Sequence, residues 1–97
     1  MSKLASVLAG IQPDEAKNLA VWAKGRPIPG YDPAVWRHDD YGSVIRYSDY
    51  GNRDSDYGWE RDHYPIPAST GGPDTVDNLR PLHWRNNTAL GSLLRNR

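Results

Sequence analysis

A chain of 97 residues with twelve acidic and twelve basic side chains is one small domain of zero formal net charge. That balance argues against generic tight binding to a polyanion, and the absence of cysteine excludes a disulfide framework and a thiolate zinc cluster. A chain this short buries only roughly 60–65% of the surface its unfolded form exposes, so the Trp and Tyr residues, in a sequence without Phe, must supply much of a thin core.

No apolar run approaches the ~18 residues of a membrane span, and residues 1–10 lack a basic segment followed by a sustained apolar stretch. The chain therefore reads as soluble and cytoplasmic, with no membrane partner; secretion without a cleaved signal stays open. Charge is unevenly spread. Residues 30–62 carry eight acids against four Arg, whereas residues 78–97 carry Arg80, Arg85, Arg95 and Arg97 and no acid. A nucleic acid would meet that C-terminal segment; the plainer reading is a solvated helix face.

In chain order, residues 1–10 are a short helix or a frayed arm without an assigned function. Residues 13–24 read as a helix: Pro13 suits the first position, Asp14 and Glu15 the positive end, Lys24 the last turn and Gly25 a left-handed cap. Ala16, Leu19, Ala20 and Ala23 form its expected apolar face, widened by Trp22. Arg26 to Pro33 (RPIPGYDP) is a stiff linker or turn that could wrap the core, with Trp36 as anchor. The tripeptide DYG then occurs three times, ending at Gly42, Gly51 and Gly58, as punctuation between short strands. Ser43 to Tyr47 and Tyr57 to Tyr64 are rich in β-formers and predict a β-hairpin turning over Asn52 to Asp56. A Pro/Gly-rich loop, Pro65 to Asp77, precedes a strand around Leu79 to Trp84. A helix follows from about Arg85 to Leu94, with Asn86 or Asn87 in its first turn and Leu90, Leu93 and Leu94 toward the hairpin.

The chemistry concentrates in Trp59 to Asn87, WERDHYPIPASTGGPDTVDNLRPLHWRNN. Neighbouring strand residues face opposite ways, so Asp62 and His63 would need a bend near Pro65 and Pro67 to converge on one ligand. A hard cation such as Mg²⁺ keeps several waters and needs few protein oxygens, for which Asp62 and the amide of Asn87 suffice. A neutral His63 beside it can take a proton from water, and the metal can stabilise charge on a phosphate oxygen. Taken singly, His63 reads as a packed or surface histidine, Asp62 as a solvated carboxylate, Asn78 as a turn residue and Asn87 as a cap. Their conjunction points to a one-metal phosphodiester hydrolase.

The succession WERDH, GG, DNLRPLHW, NN resembles the HNH (ββα-metal) endonuclease family, whose motif runs Glu-x-Asp-His, Gly-Gly, Asn-Leu, and His or Asn on the final helix. The match covers Glu60 to Gly91, and the flank from Gly30 to Gly58, with Arg37, Asp39 and Gly42, looks like the N-terminal part of small single-domain members. The resemblance implies an α+β fold: a ββα-metal core with an N-terminal helix and an additional β-hairpin, residues 1–29 forming an arm and helix and residues 30–97 the nuclease domain. It also implies roles. Asp62 and Asn87 would hold one divalent cation, Mg²⁺ first and Mn²⁺ or another transition metal next. His63 would act as general base, and Asn78 would brace the loop and orient that base through hydrogen bonds to backbone. Arg80, Arg85, Arg95 and Arg97 would hold a nucleic-acid backbone, double-stranded DNA first, with RNA and a toxin role open.

The chain departs from the family at several places. His83 and Asn86 stand where zinc-binding cysteines often occur, so no structural zinc is expected. Leu90 replaces a usual Lys, Arg61 and Tyr64 replace aliphatic residues, and the loop after His63 is slightly longer. Glu60 could bind the metal or its waters, or make a structural hydrogen bond. His83 could be a third ligand or an acid for the leaving group, or pack beside Trp84. Trp59 and Trp84 could stack on bases or pack in the core. The alternative to a nuclease is a catalytically weak or inactive ββα module that binds nucleic acid or protein.

Overall fold

A computed structural model describes residues 12–95, with side chains through Leu93. The chain runs through helix α1 (Pro13–Trp22), strands β1 (Arg26–Pro27), β2 (Trp36–His38), β3 (Val44–Arg46), β4 (Trp59–His63) and β5 (Leu79–His83), and helix α2 (Trp84–Arg95). Strands β1, β2 and β3 form one antiparallel sheet and β4 and β5 a second, giving an α+β fold. The expected N-terminal arm, residues 1–10, lies outside the described residues. Among the described residues no helix is long and apolar enough to cross a membrane.

Pro13, Asp14 and Glu15 open α1 as their chemistry requires, but the helix ends at Trp22 and Lys24 falls beyond it. Lys24 instead donates to the carbonyls of Val76 and Leu79, tying the end of α1 to the later hairpin. Gly25 is not left-handed: a side chain there would press on Arg37 at 3.1 Å and on the Trp22 carbonyl at 3.2 Å. The buried face keeps only Trp22 of the expected one. Asn18, Val21 and Trp22 point inward, while Ala16, Leu19, Ala20 and Ala23 face out. One indole removes far more apolar area from water than a row of alanines, and the Trp22 Nε1–H finds the Pro33 carbonyl at 2.9 Å.

The predicted pairing of residues 43–47 with residues 57–64 does not form. β3 pairs with β2, a strand that the acidic sequence WRHDD conceals, and β4 pairs with β5. The additional hairpin of the fold is therefore β2–β3. After Arg46 the chain leaves the sheet in a turn at Tyr47–Asp49, where buried Asp49 accepts from Ser55 Oγ at 2.7 Å and pairs with Arg46. The DYG tripeptides do punctuate. Gly42 and Gly51 adopt left-handed turns at φ 83° and 76°. Gly58 serves otherwise, since a Cβ there would lie 1.9 Å from the Asn52 carbonyl oxygen.

The core gathers Val21, Trp22, Ile45, Trp59 and Leu79 with Tyr47 against it. Trp59 sits at its centre, its ring 5.1 Å from Trp22 and 4.9 Å from Tyr50, with Nε1–H donating to the Tyr47 carbonyl. Tyrosines contribute less than composition suggests, for Tyr31, Tyr41, Tyr50, Tyr57 and Tyr64 are exposed. Leu93 is likewise exposed rather than facing the hairpin, whereas Leu90 is partly buried.

Polar links complete this thin core. Asp39 is 1% exposed. Its Oδ1 accepts from the amides of Tyr41 and Ser43, and its Oδ2 from the His83 amide and Asn86 Nδ2, all at 2.8–3.0 Å. One carboxylate thus closes the β2–β3 turn and fixes the corner where β5 becomes α2. Asp39→Ala should lower the unfolding free energy in urea by about 3 kcal/mol or more, because it strands buried donors. Asp32→Ala, which removes one exposed turn contact to the Ala34 amide, should cost no more than ~1 kcal/mol.

Candidate active site

The site is built on the β4–β5 hairpin, its connecting loop and the first turns of α2. In the ladder Asp62 lies opposite Arg80, His63 opposite Leu79 and Glu60 opposite Leu82. The pairing stays regular through His63, and the bend expected at the strand end follows it at Pro65–Ile66. Asp62 and His63 border one cleft of about 560 Å³, together with Arg53, Asn87, Leu90 and Gly91. They do so because β4 ends at the rim, where the chain turns away through a cis Tyr64–Pro65 peptide.

Asn78 holds the loop. It is buried, its Oδ1 accepts from the Ile66 amide at 3.0 Å, and its Nδ2 donates to the carbonyls of Ile66 at 2.8 Å and Pro73 at 3.2 Å. The Tyr64 amide donates to the Asn78 carbonyl at 2.9 Å, so both ends of the loop are tied to this residue. The two glycines have different reasons. Gly71 is left-handed at φ 88°, and a Cβ on Gly72 would meet the Ile66 carbonyl oxygen at 1.9 Å.

Three ion-pair systems surround the cleft. Arg53 grips Glu60 with two bonds, Nε to Oε2 and Nη2 to Oε1, each 2.9 Å, and Asn87 Nδ2 also donates to Oε1 at 2.9 Å. Glu60 only accepts, which fixes the amide orientation of Asn87 and leaves its Oδ1 as the end available to a ligand. The Arg53 hydrogen bond holds the Glu60 carboxyl below its usual range; burial works against it, and Asn87 adds to the lowering. Arg80 Nε donates to Asp62 Oδ2 at 2.8 Å and Nη1 to Asp40 at 3.2 Å, while its guanidinium lies 4.0 Å from the Tyr64 ring and 5.5 Å from that of Tyr41. Burial pushes Arg80 down, but hydrogen bonds to Asp62, Tyr41 and Asp40 outweigh it and raise the guanidinium above its ordinary value. His63 Nε2 stands 3.6 Å from Asp74 Oδ1, and Lys17 of α1 bonds Asp74 Oδ2 at 2.9 Å. The Lys17 hydrogen bond is the main reason that Asp74 is lowered.

Among the described residues no three His, Cys, Asp or Glu side chains converge closely enough to hold a metal by themselves. Asp62 and Asn87 both line the cleft, and each keeps an oxygen that its ion-pair or hydrogen-bond partner does not take, Asp62 Oδ1 beside the Arg80 bond to Oδ2 and Asn87 Oδ1 beside the Glu60 bond to Nδ2. One carboxylate, one amide and water make a donor set that suits Mg²⁺.

No family model, curated protein or solved structure matches the chain. The geometry alone therefore sorts the other sequence candidates. His83 is 5% exposed and has both ring nitrogens engaged: Nδ1 accepts from the Arg85 amide at 3.1 Å, and Nε2, which must then carry the proton, donates to the Asp56 carbonyl at 2.7 Å. It caps α2 and does not line the cleft. Trp59 packs in the core, and Trp84 donates Nε1–H to the Ser55 carbonyl at 2.8 Å. Arg80 is committed to Asp62 and Asp40, leaving it less free for a phosphate than its place in the sequence implies. Arg85 is exposed and pairs with Asp56 at 3.0 Å. The Arg95 side chain and Arg97 lie outside the described residues.

Arg53 and Asp74 were not among the sequence candidates, and Asp39 entered only through the resemblance of the flanking segment. Arg53 and Asp74 stand in acid- or turn-rich stretches where nothing in the spacing distinguishes them; the closure of the chain brings Arg53 to Glu60.

Two outcomes check this geometry. Asn78→Ala should cost about 1–3 kcal/mol and speed hydrogen exchange at the Ile66 amide, and Asn78→Asp should not rescue it, because a carboxylate would face two carbonyl oxygens. For Glu60, a folded-state pKa held below the ordinary 4.5 gives stability that is present above that value and lost as pH falls through the folded one. Acid unfolding of Glu60→Gln should accordingly show a shallower decline below pH 4.5 than wild type.

Proposed function

We propose that the protein is an HNH-type, divalent-metal-dependent endonuclease that hydrolyses phosphodiester bonds of DNA, on a ββα-metal core formed by β4, β5 and α2. The observation that carries this reading is the convergence of Asp62, His63 and Asn87 on one cleft beneath a loop braced by Asn78. A cation on Asp62 and Asn87, Mg²⁺ or Mn²⁺, would supply Lewis-acid charge at the phosphate and the leaving oxygen.

His63 takes the proton from the attacking water. The Asp74 carboxylate near Nε2 favours the tautomer protonated there, which leaves Nδ1 as the basic atom. The water oxygen forms the new bond to phosphorus, the bond to the leaving oxygen breaks, and that oxygen takes its proton from solvent. Asn78 keeps the loop at one distance from His63, and Arg80 fixes the Asp62 carboxylate by holding a single oxygen. Arg85, exposed in the first turn of α2 and paired with Asp56, would contact the nucleic-acid backbone.

A second reading has one observation in its favour. The pairing of Asp62 with Arg80 satisfies much of that carboxylate without a metal, as suits a non-catalytic module that binds nucleic acid or protein. Plasmid incubation with Mg²⁺ or Mn²⁺ separates the two. The nuclease reading expects nicking that disappears in EDTA and falls at least 10²-fold in His63→Ala, the scale of general-base catalysis. Absence of nicking with either metal, or undiminished nicking by His63→Ala, contradicts it. Parallel arms with single-stranded DNA and RNA establish the substrate class.

A further inference from the structure

Two arginines line the cleft, and they differ in what they can do there. Arg61 is 18% exposed, pairs with Asp14 at 3.0 Å and lies 5.5 Å from the Tyr50 ring, so its charge is largely spent within the fold. Arg53 is 55% exposed and belongs to both the main cleft and an adjoining hollow of about 470 Å³ that Glu60, His63, Asp74 and Asn87 also line. Glu60 occupies one edge of its guanidinium, Nε and one hydrogen of Nη2. Nη1 and the outer Nη2 hydrogen remain, and a guanidinium edge of that kind matches a phosphate.

We propose that Arg53 is the phosphate-binding residue of this cleft, and that Glu60 is a positioning residue which aims Arg53 and Asn87 at the same substrate group. The inference rests on the nuclease reading for the identity of the substrate. Its physical basis is independent. A bidentate partner removes most of the rotational freedom of a long side chain, so the entropic cost of ordering Arg53 on a phosphate is met in advance. The same carboxylate accepts from Asn87 Nδ2, so a displacement of Glu60 would move a cation and an oxygen ligand together. The apolar wall at Leu90 supplies no charge of its own, which leaves Arg53 as the exposed cation bordering Asp62, His63 and Asn87.

The test uses the full chain and a fluorescein-labelled DNA duplex, with binding followed by anisotropy in EDTA across a salt series and cleavage followed separately with Mg²⁺. Arg53→Ala should reduce the slope of log affinity against log salt by about 0.9, the loss of one phosphate contact, and lower kcat/KM about 10²-fold. Arg53→Lys should restore the salt slope but not the rate. Glu60→Gln, which keeps the Arg53 charge, should retain the slope and lose rate mainly in kcat. Should Arg53→Ala not fold, Arg53→Gln carries the same expectation. A wild-type salt slope in a folded, uncharged Arg53 variant overturns the proposal, as does a chain that binds no duplex. If no metal supports cleavage yet the slope falls in Arg53→Ala, the nuclease reading fails and the phosphate contact stands.

Discussion

The carboxylate of Asp39 is the contact on which most of the structure hangs. A core of two tryptophans and a few aliphatic neighbours cannot by itself fix how the three-stranded sheet, the hairpin and the helices of the described residues meet. Asp39 makes that geometry unique by accepting from two amides of its own turn and from two donors at the β5–α2 corner. The same corner carries Asn87 one turn along, so a bond made for stability also sets where the helix presents its amide. His83 acts at the same place from inside the corner, capping the Arg85 amide with one ring nitrogen and holding the Asp56 carbonyl with the other.

A second constraint shapes the cleft. The loop after β4 has few apolar anchors, with Tyr64 and Ile66 exposed, and it is kept in place by polar bonds that converge on Asn78. Helix α1 and the turn that follows it close over its far side, through Lys17 on Asp74 and Lys24 on the Val76 and Leu79 carbonyls. Val21 and Trp22 of α1 also fill the core beside Trp59 and Leu79 of the hairpin. Around the cleft, acids and arginines are interleaved so that each proposed ligand has a partner on one side and a free atom on the other: Arg80 on one oxygen of Asp62, Glu60 on the amide nitrogen of Asn87.

Much of the hairpin end of the fold was legible in the sequence, and much of the rest was not. The order of strand, loop, strand and helix between Trp59 and Arg95 could be read because its signals are local: β-formers, Pro and Gly in the loop, and Asn residues in the first helical turn. The bracing role given to Asn78 by resemblance has a concrete counterpart in its bonds to loop backbone. The partner of β3 was not legible even though it lies just before it in the chain, because the charged sequence WRHDD does not read as a strand and the turn at Asp49 that redirects the chain depends on Ser55 and Arg46 closing on a buried carboxylate. The buried face of α1 was misread for a related reason. Spacing favoured the alanines, but the size of Trp22 and the carbonyl waiting for its indole decided the orientation. Arg80 shows the limit of charge counting: it stands in a basic segment, yet its cross-strand neighbour is Asp62 and the pair neutralises itself.

In the proposed nuclease, Asp62 on its strand and Asn87 on its helix hold one cation beside His63. Calorimetric titration of the full chain with Mn²⁺ reads that site. One site per chain, abolished in Asp62→Ala and weakened at least tenfold in Asn87→Ala with both variants still folded, is the predicted result. Equal binding by wild type and both variants, or no binding by the wild-type chain, would contradict it.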